Sequence, residues 1–161
     1  MCMILRHPDQ DPKRAEQFLQ ELKEPCLSSS YLQIRAAYSL IKGSMIQEPN
    51  SAKNAIGAVF SFSVEHSLSQ MRVISLGLLT ARFVQTIPTD KIDSMGKMLY
   101  TEATKANDDV WAVIGGGVTA EMYKRKNNLE KAAIQHLNTE NYQAKVDELL
   151  RGGELLEDMN R

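Results

Sequence analysis

VWAVIGGGVTAEM, residues 110–122, is the stretch whose reading decides the fold. An apolar run meets Gly115, Gly116 and Gly117, then a segment able to form helix. Either the glycines make a loop between a strand and a helix, or they sit inside one helix from residue 109 to about 126. The first arrangement holds a phosphate. The second does no chemistry.

Taken as a helix, Trp111, Ile114, Val118 and Met122 form one stripe, and Val110, Val113, Gly117 and Ala120 a second. Glu121 and Arg125 add a favourable i,i+4 pair. Three interior glycines cost about 1 kcal/mol each relative to alanine. That cost needs an offset: close approach of a neighbouring helix, a kink, or a groove that a partner's side chain fills. A break at 115–117 between two shorter helices is a further arrangement.

Taken as a loop, Gly115, Gly117 and Ala120 satisfy G-x-G-x-x-A, with VWAVI as the preceding strand. The stretch then looks like the start of a flavin- or nicotinamide-binding Rossmann unit, its helix N-terminus facing the pyrophosphate. That unit also needs a second strand ending in an acid about 20 residues on. The chain instead runs through residues 133–137 into HLNTEN, with no β-branched run, and its nearest acid, Glu140, fits the first turn of a last helix. Dinucleotide binding at Gly115, Gly117 and Ala120 is kept as the alternative; the main expectation is no cofactor.

The 161 residues suit one domain, expected over 1–153 with a tail at 154–161. A net charge of −1 argues against nucleic acid, although Lys124, Arg125 and Lys126 form a local basic cluster that keeps an all-α nucleic-acid binder as a second alternative. Cys2 and Cys26 make neither a disulfide framework nor a metal site. The opening MCMILRHPD is broken by Arg6 and His7 and does not read as a signal peptide, and no apolar run reaches about 18 residues. A cytoplasmic setting without membrane contact is expected.

Helix punctuation recurs. Asp11 and Pro12 open a helix that Pro25 is expected to end; serines 28–30 cap the next, with Ile34, Tyr38, Ile41 and Met45 inward. Pro49 stops that helix and Asn50 caps a third, with Ile56, Val59, Phe60 and Val64 inward. AVFSFSV, 58–64, alternates like a strand, but its flanks read as helix. MRVISLGLLTARFV, from Met71, is apolar on two sides and reads as a central helix. Pro88 and Thr89 open another, with Ile92, Met95, Leu99 and Ala103 inward and Asp93 and Lys97 adding an i,i+4 pair. Asn128 caps a short helix, and Thr139 starts a last one ending at Gly152 and Gly153.

Three helix starts align: LQIRAAYSLI from Leu32, SQMRVISLGLL from Ser69 and DDVWAVIGGGV, with Val110 matching Ile34 and Met71. Trp111 then stands where the first two copies carry Arg35 and Arg72. The period and the apolar-Arg-x-x-small pattern, over about residues 30–126, resemble HEAT-like helical repeats. The resemblance implies paired helices stacked into a short solenoid.

No chemical constellation emerges elsewhere. His7, His66 and His136 fall in separate segments, and SFSVEHSLS lacks a nucleophile turn. Many of the eight methionines fall on helices, as core filling or as adaptable surface. The expectation is an all-α fold of seven or eight helices, in antiparallel pairs stacked as a HEAT-like solenoid or an orthogonal bundle. Its expected function is non-enzymatic: a protein-interaction module binding another protein or peptide, with a second copy as an alternative partner. The partner-binding residues are expected to be Trp111, Gly115, Gly116, Gly117, Tyr123 and Lys124, a lone tryptophan beside glycines supplying anchor and pocket.

Overall fold

A computed structural model describes residues 12–83 and 89–159, with side chains over 13–83 and 91–151. Cys2, His7, Asp11 and Pro88, and the side chains of the tail, lie outside the described residues. Among the described residues are seven helices: α1 (Pro12–Leu27), α2 (Leu32–Met45), α3 (Pro49–Glu65), α4 (Ser69–Phe83), α5 (Thr89–Lys105), α6 (Asp109–Arg125) and α7 (Leu129–Met159). The fold is all-α. The chain divides into two compact units, residues 1–71 and 72–161. Within each, helices adjacent in sequence pack together, an order consistent with a solenoid-like arrangement.

In the first unit α2 packs on both α1 and α3. Pro25 does not end α1, because a proline in the last turn forfeits one hydrogen bond while the next two residues stay helical. Ser28 closes that helix, its backbone nitrogen and hydroxyl both donating to the Glu24 carbonyl at 3.0 and 2.7 Å. The serines therefore finish α1; the N-cap of α2 is Tyr31, which makes no side-chain cap bond. The buried side of α2 is Ala36, Tyr38, Leu40 and Gly43, and Ile34 is 43% exposed. Small residues decide this face. A β-carbon on Gly43 would lie 3.2 Å from that of Ala55, so α3 comes close there. Glu48, not Asn50, caps α3, its carboxylate accepting from the backbone nitrogens of Asn50 and Ser51 at 2.9 and 2.5 Å. Ile56 and Val59 face in as expected, but Val64 is exposed and Ala52 and Ser63 complete the face.

In the second unit α4 buries Val73, Leu76 and Phe83 together with Ser75 and Thr80. The two hydroxyls donate to the helix's own carbonyls of Arg72 and Leu76 at 3.1 and 2.8 Å, which removes the penalty of burying them. Arg72 and Glu102 form an ion pair at 2.5 Å that ties α4 to α5. Ile92, Leu99 and Ala103 are the buried side of α5, as the spacing predicts. The residues after Asn128 make one helix of 31 residues rather than two. Thr139 starts nothing: its hydroxyl donates back to the Gln135 carbonyl at 2.6 Å, and Gly152 and Gly153 lie inside the helix.

Three connections share one build. Ser67, Asn107 and Asn127 take φ of 55°, 53° and 54°. The residue after each donates its backbone nitrogen to the carbonyl five back: Leu68 to Ser63, Asp108 to Ala103 and Asn128 to Tyr123, at 2.8, 2.9 and 2.9 Å. This is the Schellman closure, which a left-handed residue completes. Asp108 and Asn128 then cap the next helix, accepting from Trp111 and Lys131 at 3.2 Å each.

Candidate functional site

The glycines lie in the middle of α6, which packs on both α5 and α7. Their three environments differ. A β-carbon on Gly115 would lie 2.6 Å from the backbone nitrogen of Tyr100 and 3.1 Å from the carbonyl oxygen of Gly96, so α5 passes against it. One on Gly116 would overlap the hydroxyl of Thr139 on α7. Gly117 is exposed, with nothing within 4 Å of that position. Two glycines let helices approach, one on each side of α6; the third faces outward.

This overturns the dinucleotide reading. A pyrophosphate needs backbone N–H groups left free at a helix start. Gly115, Gly117 and Ala120 instead sit in the second and third turns or later of a continuous helix beginning at Asp109, where N–H groups are spent on carbonyls one turn back.

The remaining candidates spread around the helix. Trp111 is half-buried, its ring covering Gly77 of α4 so closely that a β-carbon there would overlap it. Tyr123 is half-buried on another flank, with the Lys97 ammonium 5.0 Å from its ring centroid. Gly117 and Lys124 share the outward face, seven residues apart. Val110, seven before Gly117 and 48% exposed, extends that stripe. The expected binding residues leave out Val110, although its i,i+7 spacing to Gly117 and on to Lys124 is visible in the sequence.

The basic cluster is largely neutralised. Arg125 pairs with Glu121 at 3.2 Å, and Lys126 reaches Asp93 at 2.9 Å. Asp93 also accepts from Lys97 at 3.2 Å. Burial raises the Asp93 pKa, but hydrogen bonds and attraction from Lys126 and Lys97 outweigh it and hold the carboxyl below its ordinary range. The same bond from Asp93 is the main influence raising Lys97.

No group of three or more His, Cys, Asp or Glu residues able to hold a metal occurs among the described residues. No described helix is long and apolar enough to cross a membrane. No curated protein and no solved structure matches the chain. The profile described as cohesin loading factor matches residues 1–130, which takes in α1 to α6 and stops at the start of α7. With 130 of its 161 residues matched, the chain belongs to the cohesin loading factor family.

Proposed function

We propose that the protein is a non-enzymatic adaptor that takes part in cohesin loading through protein contacts, its helix pairs stacked in the HEAT-like manner. The observation that carries this reading is the outward face of α6: Val110, Gly117 and Lys124 in one stripe, on a helix held from both sides. An apolar residue, a bare backbone and a cation with no acidic partner among the described residues make a surface suited to a protein side chain. Trp111 and Tyr123 fix the flanks, and Gly115 and Gly116 set the depth at which the helix sits. A protein partner is favoured over nucleic acid because Arg125 and Lys126 are already paired with acids.

Gly117→Trp tests the proposal. Open space surrounds the position, so the fold accepts the side chain while the face is blocked. Co-precipitation of purified cohesin and of the proteins that load it should fall at least about fivefold, with a melting temperature no lower than that of the wild type. Unchanged capture moves the contact off α6.

A further inference from the structure

Two features lie apart from α6. In the first unit, α2 and α3 enclose a groove of about 530 Å³. Ala36, Ala55, Ala58 and Val59 line it with small apolar side chains. Its only charged lining residues are Arg35 and Lys42, both exposed and neither with an acidic partner among the described residues. They stand seven residues apart on one side of α2, about 10.5 Å along its axis. Two anionic groups at the same spacing would meet them one to one. The complement is a helix with two acids two turns apart beside apolar residues.

In the second unit α7 packs on α6, with Thr139 against Gly116, and its less exposed side is the stripe of Ala132, Gln135, Thr139, Tyr142 and Val146. The opposite side is uncovered: Ile134 is 51% and Leu137 62% exposed, with Ala144 in line. Glu140 and Asp147 flank this ridge, exposed and seven residues apart. Glu140 has no cationic partner among the described residues; the Asp147 carboxylate accepts from the neutral amide of Gln143 at 2.7 Å, and Arg151 donates to the Asp147 backbone carbonyl, not to the carboxylate, at 3.2 Å.

We infer that the ridge of α7 docks into the α2–α3 groove of a second copy of the chain, Glu140 and Asp147 meeting Arg35 and Lys42. Spacing, sign of charge and apolar content match on the two surfaces. The contact is heterologous, each molecule offering one surface and using the other, so it builds either a closed ring or an open head-to-tail chain. A single helix ridge is smaller than the roughly 800 Å² per partner of a standard interface, so the association is weak and depends on concentration.

Sedimentation velocity of the full chain, from about 1 to 300 μM and at two salt concentrations, reads it out. The wild type should self-associate with concentration, less at high salt. R35E/K42E and E140K/D147K should each weaken association about tenfold or more. Mixed together they should associate again, because an acidic groove then meets a basic ridge. All four positions are exposed, so both variants should fold; melting curves check this, and Leu137→Asp on the ridge replaces any variant that does not. A chain that stays monomeric throughout, one whose self-association ignores these charges, or a mixture that stays monomeric overturns the inference. So does a groove that takes up a foreign acidic peptide while the chain itself remains monomeric. Gly117→Trp should leave self-association unchanged, which separates this contact from the α6 surface.

Discussion

The backbone nitrogen of Tyr100 sits 2.6 Å from where a β-carbon on Gly115 would stand, whereas nothing lies within 4 Å of the same point on Gly117. Two glycines two residues apart in one helix therefore respond oppositely to one methyl group. Gly115→Ala must push α5 away along its backbone and should cost about 3 kcal/mol, at the upper end for overpacking. Gly117→Ala should gain about 0.5–1 kcal/mol from helix propensity. Urea denaturation of the two variants compares them; equal effects would show that α5 is not in contact at Gly115.

Gly116 faces a side chain instead of backbone, so its clash can be relieved. Gly116→Ala should destabilise by about 2 kcal/mol, and in Thr139→Ala the overlapping hydroxyl and methyl are gone. The double variant should be less damaged than the sum of the two, with a coupling of about 1 kcal/mol. Additive effects would mean that α6 and α7 are farther apart than described.

Ser67 holds a left-handed conformation at φ 55°, where Asn107 and Asn127 hold the equivalent positions in two other turns. Serine gains less than asparagine from local hydrogen bonding there, and glycine has no steric cost. Ser67→Gly should therefore raise stability by about 0.5–1 kcal/mol, and Asn107→Gly by less. Thermal melts rank the two, and the reverse order would contradict the reading of the turns.

Acid should loosen the second unit through Asp93. Its folded pKa is held below the ordinary value by Lys126 and Lys97, so its contribution is present above the unfolded value of about 3.9. That contribution is lost as pH falls through the depressed folded value. Asp93→Asn should be less stable at neutral pH and show a shallower acid limb, as read by melting temperature from about pH 6 to pH 2. On the basic side Lys97 is raised, so its share persists below the ordinary lysine value and disappears as pH climbs through the raised one. An acid limb of unchanged slope in Asp93→Asn would exclude this linkage.

Helix existence was legible wherever local chemistry alone sets it. Asn128 caps α7, as its side chain predicts, and the 3.6-residue spacing of Ile92, Leu99 and Ala103 reports the buried side of α5. Legibility failed where a neighbour decides. The buried face of α2 follows Ala36 and Gly43, which admit α3, rather than the large Ile34. Thr139 reads as a cap in isolation but is buried against Gly116, and its hydroxyl turns back on its own helix. The three alike glycines could not be sorted from sequence, because what separates them is Tyr100, Thr139 and empty space. The alignment of helix starts was misregistered: counted from Leu32, Ser69 and Asp109, Trp111 and not Val110 is the third residue matching Ile34 and Met71.

The turns at Ser67, Asn107 and Asn127 also bear on how the chain folds in time. Each takes three residues, and at Asn107 and Asn127 α6 meets α5 and α7 meets α6 after closing only a short loop. Little entropy is spent before these contacts are rewarded, so α5, α6 and α7 should assemble fast. Stability should be nearest-neighbour in kind: opening α7 need expose only the side of α6 it covers, and refolding can restart from any intact pair.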